Sequence, residues 1–321
     1  MISKQLPINS GFGAATTAAE VLTGRNLSGT TAIVTGGHSG LGLETTRALA
    51  DAGAQVIVGA RDVDAARARV NYIPNTEVEQ LDLANQTSVR DFARRFLMRN
   101  RHIDILIGSA GIMACSETRV GPAAWEAQFA TNHLGHYALV NLLWPALKGD
   151  ARVVVVSSAG HHQSAIRWND VQFTQGYEKW LAYGQSKTAN ALFAVHLDRL
   201  GQGEGVRAFS LHPGKIFTPL QRHLTQAEMI AAGWLDANGN PADPTFKTTR
   251  QGAATQVWAA TSPQLKGMGG LYCEDCEIAS VDAGESPSFV GVRPYAIDPE
   301  QAERLWALSA QLTGINSFQM K

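Results

Sequence analysis

The chain has 321 residues, 45% of them hydrophobic and 17% charged, and its formal net charge is −1 at pH 7. This composition indicates a folded globular protein and gives no sign of nucleic acid or an anionic membrane as a partner. No apolar run approaches the roughly 20 residues that span a bilayer, and the N-terminus lacks a signal-peptide core. Three cysteines, an odd count in a long chain, argue against a disulfide framework, and we expect a cytoplasmic protein.

Short apolar runs alternate with helical stretches along the chain. After a short helical piece at Thr17–Leu22, the predicted strands are Thr31–Thr35, Gln55–Ala60, Val78–Leu81, Ile103–Ile107, Arg152–Ser157 and Val206–Leu211. The predicted helix Leu41–Ala52 follows the first strand. Such strands between helices are typical of a parallel sheet covered on both faces. We predict one doubly wound, Rossmann-type α/β domain over residues 1–321, with a mostly parallel seven-stranded sheet.

Two segments lie outside this alternation. Residues 1–30 form an N-terminal extension, and residues 219–249 carry Pro, Gly, Asn and Asp around an amphipathic piece, Gln226–Trp234. An insertion after a late strand falls at the carboxyl edge of the sheet, where ligands bind. It predicts a small helical substrate lid; a plain surface excursion is the alternative. Its apolar side chains indicate an apolar pocket: Leu220, Met229, Ile230 and Trp234.

A glycine-rich turn follows the first predicted strand and opens the first helix. A helix N-terminus attracts anions, and glycines let the backbone approach a pyrophosphate. Strand, loop and helix in this order predict a dinucleotide site, whereas a turn that only needs positive φ is the alternative. The residues assigned to the site are Gly36, His38, Ser39, Gly40, Leu41 and Gly42.

The end of the second predicted strand indicates which cofactor binds. An NAD site usually has an acidic residue there, but this chain has Ala60 followed by Arg61. A guanidinium at this point would pair with a 2′-phosphate, His38 could add a donor, and Asp62 fits the first turn of the next helix. We therefore predict NADP(H), with Arg61 as an ordinary surface residue as the alternative.

Tyr183 and Lys187 lie four residues apart in Tyr-Gly-Gln-Ser-Lys, on one face of a predicted helix. A free tyrosine has a pKa near 10, and a neighbouring ammonium together with oxidised nicotinamide would favour tyrosinate. Taken alone, an exposed helix pair explains the spacing equally well. Ser158 follows the fifth predicted strand, at the edge where α/β sheets bind substrate.

The Gly-xxx-Gly-x-Gly spacing of the turn resembles the short-chain dehydrogenase/reductase family, and the similarity extends from about Ser28 to Val281. Ala-Glu-Val-Leu before the first strand and Gly-Trp-Leu-Asp-Ala-Asn-Gly-Asn-Pro within 219–249 resemble retinol-dehydrogenase-like and WW-domain-oxidoreductase-like members. The resemblance implies that Ser158 orients the carbonyl oxygen and Tyr183 transfers the proton. It also implies that Lys187 binds the nicotinamide ribose and that Asn132 holds a water of a proton relay.

The resemblance also implies further cofactor contacts. Asp82 would accept from the adenine amino group, and backbone near Ile216 would fix the carboxamide. The remaining residues assigned to the cofactor are Leu83, Ala110, Gly111, Pro213 and Thr218, besides Tyr183 and Lys187. Gly108-Ser109 stands where the family usually has Asn-Asn, so we expect hydrogen bonds that tie the central sheet to be lost.

We therefore predict hydride transfer between NADP(H) and a small-molecule alcohol, ketone or aldehyde that is apolar and fairly large. The alternative is a catalytically silent NADP(H)-binding sensor or scaffold of the same fold. Family members often form homodimers or homotetramers through the helices that contain Asn132 and Tyr183, while some with extra segments stay monomeric.

Other signals are assigned to structure. Cys273 and Cys276 have metal-ligand spacing but no second ligand pair, so no metal is predicted; buried structural cysteines are expected, with a redox pair as the alternative. His161-His162 is expected at the pocket mouth, and His133 and His136 within helix packing. The helix near 299–312 is expected to use its leucine stripe for core packing.

Overall fold

An eight-stranded sheet forms the centre of the computed structural model, which describes residues 4–284 and 289–318. Residues 1–3 and 319–321, at the ends of the predicted extension and domain, lie outside the described residues. The strands are β1 Thr31–Thr35, β2 Gln55–Ala60, β3 Thr76–Gln80, β4 Ile105–Gly108, β5 Arg152–Val156, β6 Arg207–His212, β7 Leu271–Glu274 and β8 Glu277–Ile278. Their order is β8-β7-β6-β5-β4-β1-β2-β3, and only the β7–β8 pair is antiparallel.

This arrangement confirms the doubly wound α/β fold, with one short antiparallel edge strand more than the seven predicted. Two strands differ most from their predicted bounds: β3, predicted as Val78–Leu81 and found at Thr76–Gln80, and β4, predicted as Ile103–Ile107 and found at Ile105–Gly108. β3 is an edge strand whose residues are only half-buried or exposed. Its alternating glutamates therefore escape a search for apolar runs.

Helices cover both faces of the sheet. The longer ones are α1 Gly40–Asp51, α2 Val63–Val70, α3 Gln86–Leu97, α4 Gly135–Leu142, α5 Lys179–Gly201, α6 Gln226–Ala231, α7 Ala254–Thr261 and α8 Pro299–Thr313. One-turn helices lie at Ala18–Val21, Ala127–Phe129, Trp144–Leu147 and Thr249–Gly252. One apolar cluster joins α1, α2 and α7 to the sheet, and a second joins α3, α4 and α5 to the opposite face. Within the described ranges, no helix is long and apolar enough to cross a membrane.

The C-terminal helix α8 packs across α4 and α5. The Trp306 ring is stacked on Phe193, with centroids 5.8 Å apart and planes 4° apart, and meets the edge of Tyr137 at 4.9 Å. The predicted leucine stripe is confirmed as packing, because all three leucines belong to a buried cluster on α5: Leu305, Leu308 and Leu312. The helices through which family members often pair are thus covered by part of this chain itself.

Residues near the N-terminus close the β7–β8 edge of the sheet. Gln5 Nε2 donates to the carbonyls of Tyr272 and Ala279, at 2.7 Å each, and Gln5 Oε1 accepts from Tyr272 N at 2.9 Å. The Glu277 carboxylate accepts from the backbone of Ile8 and Ser10. Covering an edge in this way removes unpaired strand groups that could otherwise recruit another chain.

Candidate active site

The glycine-rich turn folds tightly against the neighbouring loops. A Cβ on Gly36 would lie 3.1 Å from Ala110 Cα, and one on Gly42 only 2.4 Å from the Gly36 carbonyl oxygen. Gly36 and Gly40 have positive φ, but Gly42 does not, so the turn needs glycine for close approach as well as for its dihedral angles. Ser39 precedes α1 without a side-chain capping bond. The N-terminal N–H groups of this 12-residue helix therefore fit an anion such as a pyrophosphate.

Other predicted cofactor residues lie beside the glycine-rich turn. Thr218 Cβ lies 3.3 Å from the position of a Cβ on Gly40. Side-chain carbons of Leu41 and Ile216 come within 2.7 Å of the Cβ position on Gly252, which brings these two predicted residues together. Pro213 is buried in the turn after β6. The loops that follow β1, β4 and β6 thus meet at the carboxyl edge of the sheet, and we call this edge the groove.

The opposite end of the groove lies beyond β2 and β3. Asp62 caps α2, with its Oδ1 accepting from Ala65 N at 3.0 Å, so this carboxylate serves the helix as its N-cap rather than as a first-turn residue. Arg61 is exposed. Among the described residues, His38 Nδ1 is buried without a hydrogen-bond partner, and burial, together with Arg69, lowers the pKa of His38. A buried nitrogen without a protein partner at this position fits a hydrogen bond to a phosphate group.

Asp82 and Leu83 follow β3 on the same side. Asp82 Oδ1 accepts from Ala84 N at 3.0 Å, so part of its carboxylate already holds the turn. A Cβ on Gly135 would lie 2.3 Å from the Leu83 carbonyl oxygen, so glycine is required where α4 approaches this turn. The structure therefore places both predicted residues just beyond the carboxyl end of β3 and explains why their loop is fixed.

Tyr183 and Lys187 lie on α5 with 4% of their surface exposed each, so the exposed-pair interpretation is wrong. Burial raises the pKa of Tyr183 to about 12, and a hydrogen bond with Ser158 partly opposes this. Lys187 Nζ donates to the Val156 carbonyl at 2.9 Å and lies 5.5 Å from the Tyr183 ring centre. Burial lowers the pKa of Lys187 to about 7.

Ser158 lies at the end of β5, facing the Tyr183 ring. Its Oγ accepts from Gly160 N at 3.0 Å and caps a short 3-10 turn, Ala159–Gln163. A Cβ on Gly160 would lie 2.8 Å from Tyr183 Cε1, so the glycine lets the ring approach the serine. Ser157 Oγ donates to the Lys187 carbonyl at 2.7 Å, so this hydroxyl joins β5 to α5.

Asn132 lies in a π-helical turn, Ala130–Leu134, immediately before α4. Its Nδ2 donates to Ile112 O and to Ser186 Oγ, at 2.9 Å each, and its Oδ1 accepts from Ile112 N. Both amide hydrogens are thus bonded to protein. Of its side-chain atoms, only Oδ1 retains a free lone pair for the water expected from the family resemblance. Gly111 separates Asn132 from Lys187, because a Cβ there would be 3.1 Å from Asn132 Oδ1 and 3.7 Å from Lys187 Nζ.

A chain of hydrogen bonds that the sequence does not predict joins the loop after β4 to β1 and α4. It ties the central sheet at the place where the family usually has Asn-Asn and this chain has Gly108-Ser109. Ala110 N donates to Thr35 Oγ1 at 3.0 Å, and Thr35 Oγ1 lies 2.8 Å from His136 Nε2. His136 Nδ1 bonds the Asn132 carbonyl, which can only accept, so Nδ1 carries the proton and Thr35 donates to Nε2. The imidazole fills the space beside Gly108, where a Cβ would be 2.9 Å from His136 Cδ2.

An apolar surface adjoins the Tyr183 hydroxyl. Met113 and Ala114 pack with Tyr183, and four half-buried side chains cover them: Trp180, Leu220, Leu224 and Trp234. Segment 219–249 supplies three of these four. An ion pair between Lys179 and Glu228 joins α6 of this segment to the first turn of α5. Of the predicted apolar residues of the segment, Leu220 and Trp234 belong to this cluster, while Met229 and Ile230 are half-buried on α6.

The two histidines after Ser158 do not line the pocket mouth as expected. His161 is fully buried, and the His162 side chain has no exposed surface. Cys273 and Cys276 are buried and unpaired, and burial raises the pKa of both thiols, which fits structural cysteines rather than a redox pair. Within residues 4–284 and 289–318, no three or more His, Cys, Asp or Glu side chains lie together in a group that could hold a metal ion.

Comparison with known proteins agrees with this geometry. A family model described as short chain dehydrogenase matches residues 30–229. A probable oxidoreductase from Streptomyces antibioticus is 44% identical over 88% of this chain and 96% of its own length. Human retinol dehydrogenase 12 is 35% identical over 90% of this chain and 88% of its own length.

A solved structure of an uncharacterized protein from Mycobacterium paratuberculosis has a TM-score of 0.73 and 34% identity, covering 95% of this chain and 100% of that one. The chain therefore belongs to the short-chain dehydrogenase/reductase family of oxidoreductases.

Proposed function

We propose that the chain transfers a hydride between NADP(H) and an alcohol or carbonyl compound, with Tyr183 as general acid or base. The observation that carries the proposal is the convergence of Tyr183, Ser158 and Lys187 beside the groove. Tyr183 shares a hydrogen bond with Ser158. Lys187 Nζ, which donates to the Val156 carbonyl, lies 5.5 Å from the centre of the Tyr183 ring. A silent sensor or scaffold would not need a buried phenol and a buried amine at this point. Burying these two polar groups costs free energy, and apolar side chains would pack there without that cost.

Each side chain has a definite task in this proposal. When bound, the nicotinamide carries the hydride. Ser158 donates to the substrate oxygen as negative charge develops on it, and Tyr183 gives the proton in reduction and takes it in oxidation. Because its pKa is raised to about 12, Tyr183 keeps its proton at neutral pH and is ready to act as an acid. Lys187, when charged, lowers the cost of the tyrosinate that oxidation requires.

Segment 219–249 serves in this proposal as a substrate lid. Its apolar side chains Leu220, Leu224 and Trp234 face Met113 and Tyr183, which favours a fairly large apolar substrate. The Lys179–Glu228 ion pair would hold the lid against α5, where the proton donor lies.

A substrate screen tests the proposal. The chain is incubated with NADPH or NADH and a panel of steroid, retinoid, aromatic and aliphatic ketones and aldehydes, and with the oxidised cofactors and the matching alcohols. We expect turnover of apolar compounds with the phosphorylated cofactor. Tight binding of NADPH without turnover of any compound in either direction would favour the sensor or scaffold.

Arg61 is expected to set the cofactor preference. Replacing it with alanine removes a charge-assisted contact to the 2′-phosphate, which contributes about 1.5–3 kcal/mol. The KM for NADPH should therefore rise by about 10- to 100-fold, while the KM for NADH stays unchanged. Arg67→Ala is the matched control, because Arg67 is exposed on α2 and pairs with Asp64 at 3.6 Å. Equal effects of the two substitutions would assign Arg61 to the ordinary surface.

The covering of α4 and α5 by α8 bears on assembly. We expect light scattering during gel filtration to give the mass of one chain, 34.4 kDa, because the surface that family members often use for pairing is filled by Trp306 and its neighbours. A mass of two or four chains at micromolar concentration would contradict this expectation.

A further inference from the structure

His161 lies three residues after Ser158 and has no exposed surface, yet no step of the proposed mechanism uses it. Its ring packs against Tyr272 of β7, with centroids 5.0 Å apart, and against His162 at 4.3 Å. An imidazole buried this completely must have its polar atoms satisfied, so its partners indicate what it does.

The hydrogen bonds of His161 fix its tautomer. Nδ1 lies 2.7 Å from the Ser158 carbonyl oxygen, and Nε2 lies 3.1 Å from the backbone nitrogen of Arg293. A carbonyl can only accept and a backbone N–H can only donate, so Nδ1 carries the proton and Nε2 accepts. The Tyr272 hydroxyl, 3.2 Å from Nδ1, shares that proton as a second acceptor. The ring is thus neutral, in agreement with burial lowering the pKa of His161 to about 3.

Further bonds attach the C-terminal part of the chain to the same turn. The Tyr295 hydroxyl donates to the His161 carbonyl at 2.7 Å. His162 Nε2 lies 3.0 Å from the Gly291 carbonyl, and Gly291 N donates to Glu274 Oε2 at 2.8 Å. Residues 291–295 are therefore held directly behind the turn that presents Ser158.

We propose that His161 is a positioning residue for Ser158. Its Nδ1–H holds the Ser158 carbonyl, so the peptide plane that follows the serine cannot rotate, while Arg293 N–H keeps the imidazole in the tautomer that can donate. This role rests on the proposed function, because it concerns where the Ser158 hydroxyl meets the substrate oxygen. A displacement of about 1 Å at such a group can cost about 100-fold in rate.

Two substitutions separate the two nitrogens. Asparagine places an N–H donor where Nδ1 lies and has no atom at Nε2, whereas glutamine can place an acceptor at Nε2 but no donor at Nδ1. We expect His161→Asn to keep kcat within about threefold and His161→Gln to lower kcat by about tenfold or more, with the KM for NADPH unchanged in both. If His161 served stability alone, both variants would lose kcat to the same extent, in proportion to the fall in their urea unfolding midpoints. That result would overturn the proposal.

A second pair of variants tests the Arg293 contact without touching the histidine. Arg293 has φ −70°, a value that proline adopts, so Arg293→Pro removes the backbone N–H without changing the backbone angle. Arg293→Ala also loses the arginine side chain but keeps the backbone N–H. We expect kcat to be about threefold lower in Arg293→Pro than in Arg293→Ala. Equal kcat values would show that the Arg293 N–H does not hold His161 in its donating tautomer, and would overturn the proposal. This pair of variants provides the test if the His161 variants do not fold.

A readout independent of turnover separates this inference from the proposed function. The ¹⁵N chemical shifts of the His161 ring distinguish an Nδ1–H from an Nε2–H imidazole in the free protein. We expect the Nδ1–H tautomer at pH 7. An Nε2–H tautomer would overturn the inference even in an active enzyme, whereas an inactive protein with the Nδ1–H tautomer would count only against the proposed function.

Discussion

Replacing Tyr183 with phenylalanine is expected to lower kcat by about 10²- to 10⁴-fold, the usual contribution of a general acid or base. The ring is retained, so its packing on Trp180 and Gly160 persists, and only the hydroxyl that shares a hydrogen bond with Ser158 is lost. NADPH affinity, measured by fluorescence titration, should stay within about threefold of the unchanged protein. Turnover retained at more than a tenth of the original would exclude Tyr183 as the proton donor.

Tyr137→Phe is the matched control for this experiment. Tyr137 is fully buried on the neighbouring helix α4, and its hydroxyl donates to the Ile315 carbonyl at 2.9 Å, away from the groove. Its loss should cost about 1 kcal/mol of stability and leave kcat unchanged. A similar fall in kcat for both variants would indicate a general weakening of the fold rather than the loss of a proton donor.

Acidification is expected to destabilise the protein steeply. Burial lowers the pKa of five histidines from the ordinary 6.5 to about 3 or 4: His133, His136, His161, His196 and His212. Each stays neutral in the folded chain while its unfolded counterpart takes up a proton. Their stabilising effect is therefore complete above pH 6.5 and is lost as the pH falls from 6.5 towards 4.

Two buried carboxyls act in the opposite direction. Burial raises the pKa of Glu274 to about 7 and also raises that of Glu126, so the folded chain takes up these protons first and gains stability as the pH falls towards 4.5. The five histidines outnumber the two carboxyls, so the free energy of unfolding should fall between pH 6.5 and 4.5, by about 1.4 kcal/mol per pH unit for each proton by which the unfolded chain exceeds the folded one. A net excess of a few protons would remove much of a typical stability of about 5–15 kcal/mol.

Urea unfolding at half-unit steps from pH 7.5 to 4.5 measures this slope. Substituting His196, which lies against Trp306, with glutamine should lower the slope by about one proton, or about 1.4 kcal/mol per pH unit. His102→Gln is the control, because the His102 side chain is 45% exposed, and it should leave the slope unchanged. A stability that is flat across this range would contradict the assignment of neutral buried histidines.

Sequence patterns predicted the central fold because its signals are local. β1 and β2 match their predicted bounds, and the predicted strand–turn–helix order is present from β1 to α1. β3 was misplaced because an edge strand needs no continuous apolar run. The two-residue strand β8 was not predicted because its pairing depends on a tight turn through Asp275 and Cys276, both at positive φ.

The candidate active-site residues were chosen from the sequence, but their surroundings could not be predicted from it. Helical spacing indicated that Tyr183 and Lys187 share a face, yet it could not show that the face is buried, which is what shifts both pKa values. His136 and His161 were assigned to packing and to the pocket mouth. Their actual bonds, to Thr35 and to Arg293, join residues 101 and 132 positions apart, and no local pattern predicts such contacts.

The N-terminal residues that close the β7–β8 edge also constrain how the chain reaches its native state. Gln5 bonds Tyr272 across 267 residues. During synthesis, the segment that contains Gln5 emerges 267 residues before Tyr272 and must wait for that residue before its binding site exists. Closing so long a loop costs entropy, and no contact of this segment compensates for that cost until β7 and β8 are in place. We therefore expect this edge to be among the last parts to form. Tyr272 also touches His161, so we expect the turn that follows Ser158 to reach its final arrangement late as well.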